Sequence, residues 1–148
     1  MLKPVIIEHN IKIAAPAELV FTRYKDVERW PDWDPDTKSS TLNGKFEIGA
    51  RGRLIPSKGF GVPMELTEVI EGHSFTVVSK IPMFRMQFDH EIETNTDGVM
   101  VTHRVKFEGL WQILIGKKLA IQINQGLPVT LSNLKALVER DAETVAVS

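Results

Sequence analysis

The sequence predicts an α+β protein. It reads as a curved antiparallel sheet of about seven strands, two short helices after the first strand, and a long C-terminal helix lying across the sheet. Three observations predict this. Residues 5–14 and 84–107 alternate apolar and polar with a period of two, the mark of strands with one oily face. Turn residues recur between 37 and 107, at Asn43-Gly44, Gly49 to Gly52, Lys58 to Gly61, Glu71-Gly72 and Asp97-Gly98. From Leu110 the spacing becomes helical, with Leu127, Leu131, Leu134 and Val138 stepping by four, three and four.

The first strand is Val5 to Ala14, with Ile7, His9, Ile11 and Ile13 on one face and Glu8, Asn10 and Lys12 on the other. Pro16 stands where a first helical residue would, with Glu18 in the same turn, so a helix starts there and ends near Lys25. It carries Leu19, Val20 and Tyr24. A second helical piece covers Val27 to Trp30 and is stopped by Pro31 and Pro35. Strands are then expected at 39–42, 53–57, 64–70, 74–81, 84–94 and 99–107, and connections this short favour antiparallel neighbours. The long helix covers Leu110 to Arg140, with a kink or break at Gly126 and Pro128, and Ala142 to Ser148 read as frayed.

The chain has 148 residues, enough for one domain with a core, and no repeat or linker divides it. Apolar residues make up 43% and charged residues 25%, an ordinary globular balance. A net charge of −1 argues against a nucleic-acid partner. The absence of cysteine excludes disulfides, thiolate zinc sites and thiol nucleophiles. The first residues read as a strand rather than a signal peptide, and no apolar run reaches the ~20 residues that span a bilayer. A cytoplasmic protein without stable membrane insertion is the expectation. Oligomeric state is not legible.

One antiparallel sheet with one oily face must be covered, and the long helix is what remains to cover it. A curved sheet wrapped round a helix leaves a gap, and that gap is a natural binding site.

Four stretches carry a family resemblance. They are IAAPAELVFTRYKDVERWPDWDP (13–35), with its Trp-Pro-x-Trp-Asp-Pro bend; LNGKFEIGARGRL (42–54), with Gly49 and Gly52; DHEIETNTDGVMVTHRVKFEGLW (89–111); and LPVTLSNLKALVER (127–140). Together they resemble the START-related helix-grip superfamily, SRPBCC, and its polyketide cyclase/dehydrase-like members. The resemblance covers nearly the whole chain, and its motifs specify the fold more than the chemistry. It implies a large apolar cavity between sheet and helix. Members bind lipids, sterols or polyketides, a few catalyse cyclisation or dehydration, and others are protein partners, so the fold alone does not choose an activity.

Each oily face of the 84–107 hairpin carries one histidine. A four-residue loop at 95–98 pairs His90 directly with His103, and a two-residue loop at Asp97-Gly98 makes them diagonal. The strand order implied by the resemblance places the first strand beside the last and brings His9 onto the same face. Three imidazoles on adjacent strands could hold a metal. Neutral imidazoles hydrogen-bonded to one another, to a tyrosine or to water are the commoner arrangement, so no metal and no cofactor is expected. Used as polar posts on an oily wall, the same histidines would orient an apolar ligand.

The expected ligand-binding residues are Phe84, Met86, Phe88, His90, Val101, His103, Val105 and Phe107 from the strands, with Leu127, Leu131 and Leu134 from the helix. The expected partner is a small lipophilic molecule. A cyclase or dehydratase is the alternative, with a histidine base and Glu68 or an arginine beside it, because Glu68 alternates with Met64, Leu66 and Ile70 and so reads as inward. No Gly-x-Ser-x-Gly is present, and Asp89 lies on the opposite face from His90, so a hydrolase triad is not supported. Arg51 and Arg53 beside Gly49 and Gly52 suggest an anion nest, although a glycine-rich turn is the commoner explanation. Trp33, held between two prolines, is expected at the cavity mouth. Lys117 and Lys118 read as a solvated face, two lysines being a slight argument for a membrane surface.

Overall fold

In the computed structural model, which describes residues 3–147, the first strand β1 (Val5–Ile13) leads into helix α1 (Ala17–Lys25) and a 3₁₀ helix at Val27–Asp32. A meander follows: β2 (Thr37–Asn43), β3 (Arg51–Pro56), β4 (Val62–Ile70), β5 (Ser74–Ile81), β6 (Phe84–Asn95) and β7 (Gly98–Gly109). Helix α2 (Gln112–Val147) closes the order. The seven strands form one antiparallel sheet ordered β1-β7-β6-β5-β4-β3-β2. The element order is the one the alternation and turn signals predict. β2 and β3 each begin two residues earlier than expected, and β4 begins at Val62.

Two sequence expectations about α2 fail. The helix runs unbroken through Gly126 and Pro128, and it continues through Ala142 to Val147 rather than fraying, with Ser148 outside the described residues. A proline removes one i→i−4 bond and crowds one carbonyl. Here tertiary ties hold the flanking turns. Thr130 Oγ1 donates to Asp34 (3.2 Å), Lys135 Nζ reaches the Lys12 carbonyl (2.8 Å), and the Ala14 amide donates to Glu139 (2.8 Å). The Arg23 guanidinium grips Asp141 with two bonds of 2.8 and 2.9 Å, so the last turns are fastened to α1. Gly126 has its own reason, since a Cβ there would collide with the Asp36 carboxylate.

The core lies between the inner sheet face and α2. Leu131, Leu134 and Val138 of α2, spaced by three and four, are buried against Ile13, Val99, Val101 and Ile92 of the sheet. Val20, Phe21 and Tyr24 of α1 and Val27, Trp30 and Trp33 beyond it close one end. The first half of α2 sits differently: Leu119, Ile123 and Leu127 are only half-buried, and Ile113, Leu114 and Ile121 are exposed.

A β-bulge in β4 reverses one prediction. Leu66 pairs with Val77, but Glu68 pairs with Thr76, which leaves Thr67 as an extra residue. The bulge shifts the alternation by one. Val69 therefore packs on the core, while Glu68 and Ile70 turn to the outer face, where Glu68 accepts a hydrogen bond from Ser74 Oγ (3.2 Å). Glu68 is not an inward partner for a histidine.

Candidate functional site

The β6–β7 hairpin turns on Thr96 and Asp97, with Asn95 paired to Gly98. That register pairs His90 directly with His103, and β1 pairs His9 with His103. Directly opposed residues in antiparallel strands share a face. His9, His103, His90 and Phe75 thus form one row across β1, β7, β6 and β5.

The three imidazoles point to three different partners. His9 Nε2 donates to Asn124 Oδ1 of α2 (2.7 Å). His103 is buried and its Nε2 shares a 2.8 Å hydrogen bond with the Tyr24 hydroxyl of α1. His90 stacks flat on Phe75, with ring centroids 3.9 Å apart and planes 2° from parallel. Its Nδ1–H donates to the Phe75 carbonyl (3.3 Å), and its ring meets that of His103 edge-on at 4.6 Å. No group of three metal-ligating side chains converges among the described residues. The arrangement is the hydrogen-bonded one, with a tyrosine as partner.

Burial governs the charge state here. It pushes His90 down to about 4 and His103 well below the ordinary histidine value, with His90 beside it adding to the effect on His103. Burial also pushes the Tyr24 phenol up. All three groups are neutral near pH 7. Each can accept or donate a hydrogen bond, and a neutral imidazole in such a site can take a proton from a bound molecule.

Trp33 is not at a rim. It is buried beside Tyr24 (5.9 Å between centroids) and His103 (6.1 Å), and its indole Nε1–H has no hydrogen-bond partner among the described residues. Trp30, by contrast, donates its indole N–H to the Tyr24 carbonyl (2.9 Å). Asp34, next along the chain, is half-buried, and the loss of solvent around its carboxyl pushes it up; it accepts from Thr37, Thr130 and the Asp36 amide.

The expected lining residues divide in two. Phe84, Val101, His103, Val105, Phe107, Leu131 and Leu134 are buried. Met86, Phe88, His90 and Leu127 are half-buried and keep access to solvent. Leu131, Leu134 and Val138 are buried between sheet and helix, whereas Leu127 and Ile123 keep part of their surface in solvent. Two surface hollows lie elsewhere. One, of about 390 Å³, is beside Ala14, Pro16 and Gly98, and one, of about 250 Å³, is on the outer face among Glu68, Thr76 and Asp89. Arg51 points to the outer face and pairs with Glu65 (3.2 Å), while Arg53 lies along Gly61, so neither builds an anion nest with the interior.

Tyr24, Trp33 and Asn124 are the participants that periodicity did not assign to the histidines. Tyr24 is the sole tyrosine and lies four residues from Val20 on the buried stripe of α1, which is the signal that could have named it. Asn124 sits on a helix whose rotation cannot be read from strand alternation.

A seven-stranded antiparallel sheet gripping one long C-terminal helix, with an aromatic and imidazole cluster at the closed end, defines the helix-grip class. The chain belongs to the family described as polyketide cyclase/dehydrase and lipid transport, whose model matches residues 4–139. No curated protein sequence matches it significantly. Among solved structures it is similar to Ara h 8.0201, with 13% identity over 92% of this chain and 98% of the other, at a TM-score of 0.71. It is similar to a truncated norcoclaurine synthase from Thalictrum flavum, with 14% identity, 92% and 94% coverage and a TM-score of 0.71. It also resembles the di-domain ARO/CYC StfQ of steffimycin biosynthesis, with 11% identity and a TM-score of 0.75 over 98% of this chain and 52% of that one. At these identities the likeness is one of fold. No described helix is long and apolar enough to cross a membrane.

Proposed function

We propose that the protein binds a small lipophilic molecule bearing an oxygen acceptor, between the sheet and the first half of α2. The observation that carries this is the buried indole N–H of Trp33, left without a partner among the described residues. An orphaned buried donor costs about 1–3 kcal/mol, and a ligand oxygen would recover it. Met86, Phe88 and Leu127, apolar and half-buried, supply the wall. His90 and His103 supply neutral polar posts behind it, and the buried residues of the expected set support that wall from the core. Membership of a family described by polyketide and lipid chemistry agrees with this ligand class.

The test is native against denaturing mass spectrometry of untagged protein. A lipid-sized or metabolite-sized mass released on denaturation is expected, and it should be lost in Phe88→Asp and weakened in Trp33→Phe. A clean apo mass, with no thermal shift across a panel of lipids and aromatic polyketides, overturns the reading.

A second reading is a cyclase or dehydratase. The Tyr24–His103 hydrogen bond favours it, because a neutral imidazole backed by a phenol can move a proton at an enolisable carbonyl. Turnover of β-polyketone substrates that disappears in His103→Gln and persists in Phe88→Leu would establish it. Absence of turnover for any bound ligand would remove it.

A further inference from the structure

We propose that one end of the sheet docks on an anionic lipid bilayer. The register brings three segments to that end: the β3–β4 loop, the β5–β6 turn, and the junction of β7 with α2. The last two touch. Trp111 donates its indole N–H to the Pro82 carbonyl (3.0 Å), and Gly109, at φ +127°, lets the chain pass so close to Met83 that a Cβ would not fit.

These segments expose large apolar side chains instead of burying them. Leu114 is 75% exposed, Phe60 73% and Ile113 68%, and Met83, Leu110 and Trp111 are exposed beside them. A soluble surface rarely gathers that many in one place without a partner. Ile113, Leu114 and Ile121 share one exposed stripe of α2 with Lys117 and Lys118, so apolar and cationic side chains emerge side by side there.

Charge selects the occupant. Lys58, Lys80, Lys117 and Lys118 are exposed at this end, and Lys3 joins them, held there by the hydrogen bond from Gln112 Nε2 to its carbonyl (2.7 Å). None of the five has an acidic partner within 4.0 Å among the described residues, and the nearby Glu108 is engaged by Arg85 (3.7 Å). At the opposite end Lys12 pairs with Asp97 (3.6 Å) and Lys25 with Glu71 (2.7 Å), while Lys45 in the β2–β3 loop has no acidic partner within 4.0 Å among the described residues. Five unpaired lysines gather where the oily side chains emerge. A protein partner would need a matching acidic groove. An anionic membrane meets both features at once, with lysine stems spreading their charges to the phosphates.

This inference stands whether or not a ligand occupies the interior. The test is co-sedimentation with vesicles of phosphatidylcholine alone and of phosphatidylcholine mixed with phosphatidylglycerol. Tryptophan quenching by brominated lipid reports depth, because Trp30 and Trp33 are buried and Trp111 is not. Binding to the anionic vesicles, weakened by salt, with quenching of Trp111, is expected. Ile113→Glu with Leu114→Glu should abolish it, and Lys117→Glu with Lys118→Glu should weaken it at least tenfold. Circular dichroism should show both variants folded, since the changed residues are exposed. No sedimentation at low salt overturns the proposal. So does sedimentation that both variants leave unchanged, or a solution dimer that Leu114→Glu separates while vesicles bind nothing.

Discussion

Tyr24 and His103, 79 residues apart in sequence, share a 2.8 Å hydrogen bond inside the protein. It joins the first helix to the last strand. Tyr24→Phe keeps the ring and removes the hydroxyl, which leaves His103 Nε2 without its partner. We expect a loss of about 1–3 kcal/mol in chemical denaturation, with the far-ultraviolet spectrum unchanged. A stability equal to the parent's would mean that the bond contributes nothing.

Acid should act through the same cluster. His90 and His103 have folded values held below the unfolded one of about 6.5. Below 6.5 the unfolded chain takes up protons that the folded chain refuses. Their contribution is therefore complete above about 6.5 and is lost as pH falls toward the folded value, about 4 for His90. Melting temperature measured from pH 7.5 down to 4 should fall across that window, and His90→Gln should flatten the fall.

Glu68 supplies the opposite expectation. It lies on the outer face against Ser74, so Glu68→Gln should shift stability by no more than about 0.5 kcal/mol and leave any bound mass in place. Loss of ligand in that variant would contradict the register set by the bulge.

The packed half of α2 should be costly to hollow out. Leu134 is fully buried between helix and sheet, and Leu134→Ala should cost about 2–5 kcal/mol in urea denaturation. Leu127→Ala, in the more exposed half, should cost clearly less and should act mainly on ligand retention.

Much of this was legible in the sequence, and the exceptions have physical causes. Alternation in β1, β6 and β7 is unbroken, so the inner face of each can be read by counting, whereas counting leaves the hairpin register open between direct and diagonal pairing of His90 with His103, and the place of β1 beside β7 follows only from the family resemblance. β4 could not be read that way. Thr67 adds one residue to the count, and nothing in MELTEV marks it, so Glu68 was placed on the wrong face. Pro128 speaks only for its own backbone, whereas the continuity of α2 depends on Asp34, Glu139 and Arg23, residues distant in sequence. The helical period shows which residues of α2 share a face. It does not show how closely that face approaches the sheet, and so the split between the buried half and the more exposed half appears only in three dimensions.

The position of β1 at one edge of the sheet, beside β7, bears on how the chain assembles. Strands β2 to β7 can zip together as successive hairpins, each closing a short loop. β1 cannot, because Val5 meets Phe107 and Ile13 meets Val99. Roughly a hundred residues must be ordered before its ladder can form, and that closure is slow. During synthesis β1 emerges well before its partner β7. A strand with one oily face thus waits, unpaired, while the strands between it and β7 are made, and its open backbone edge is a place where a wrong partner could add.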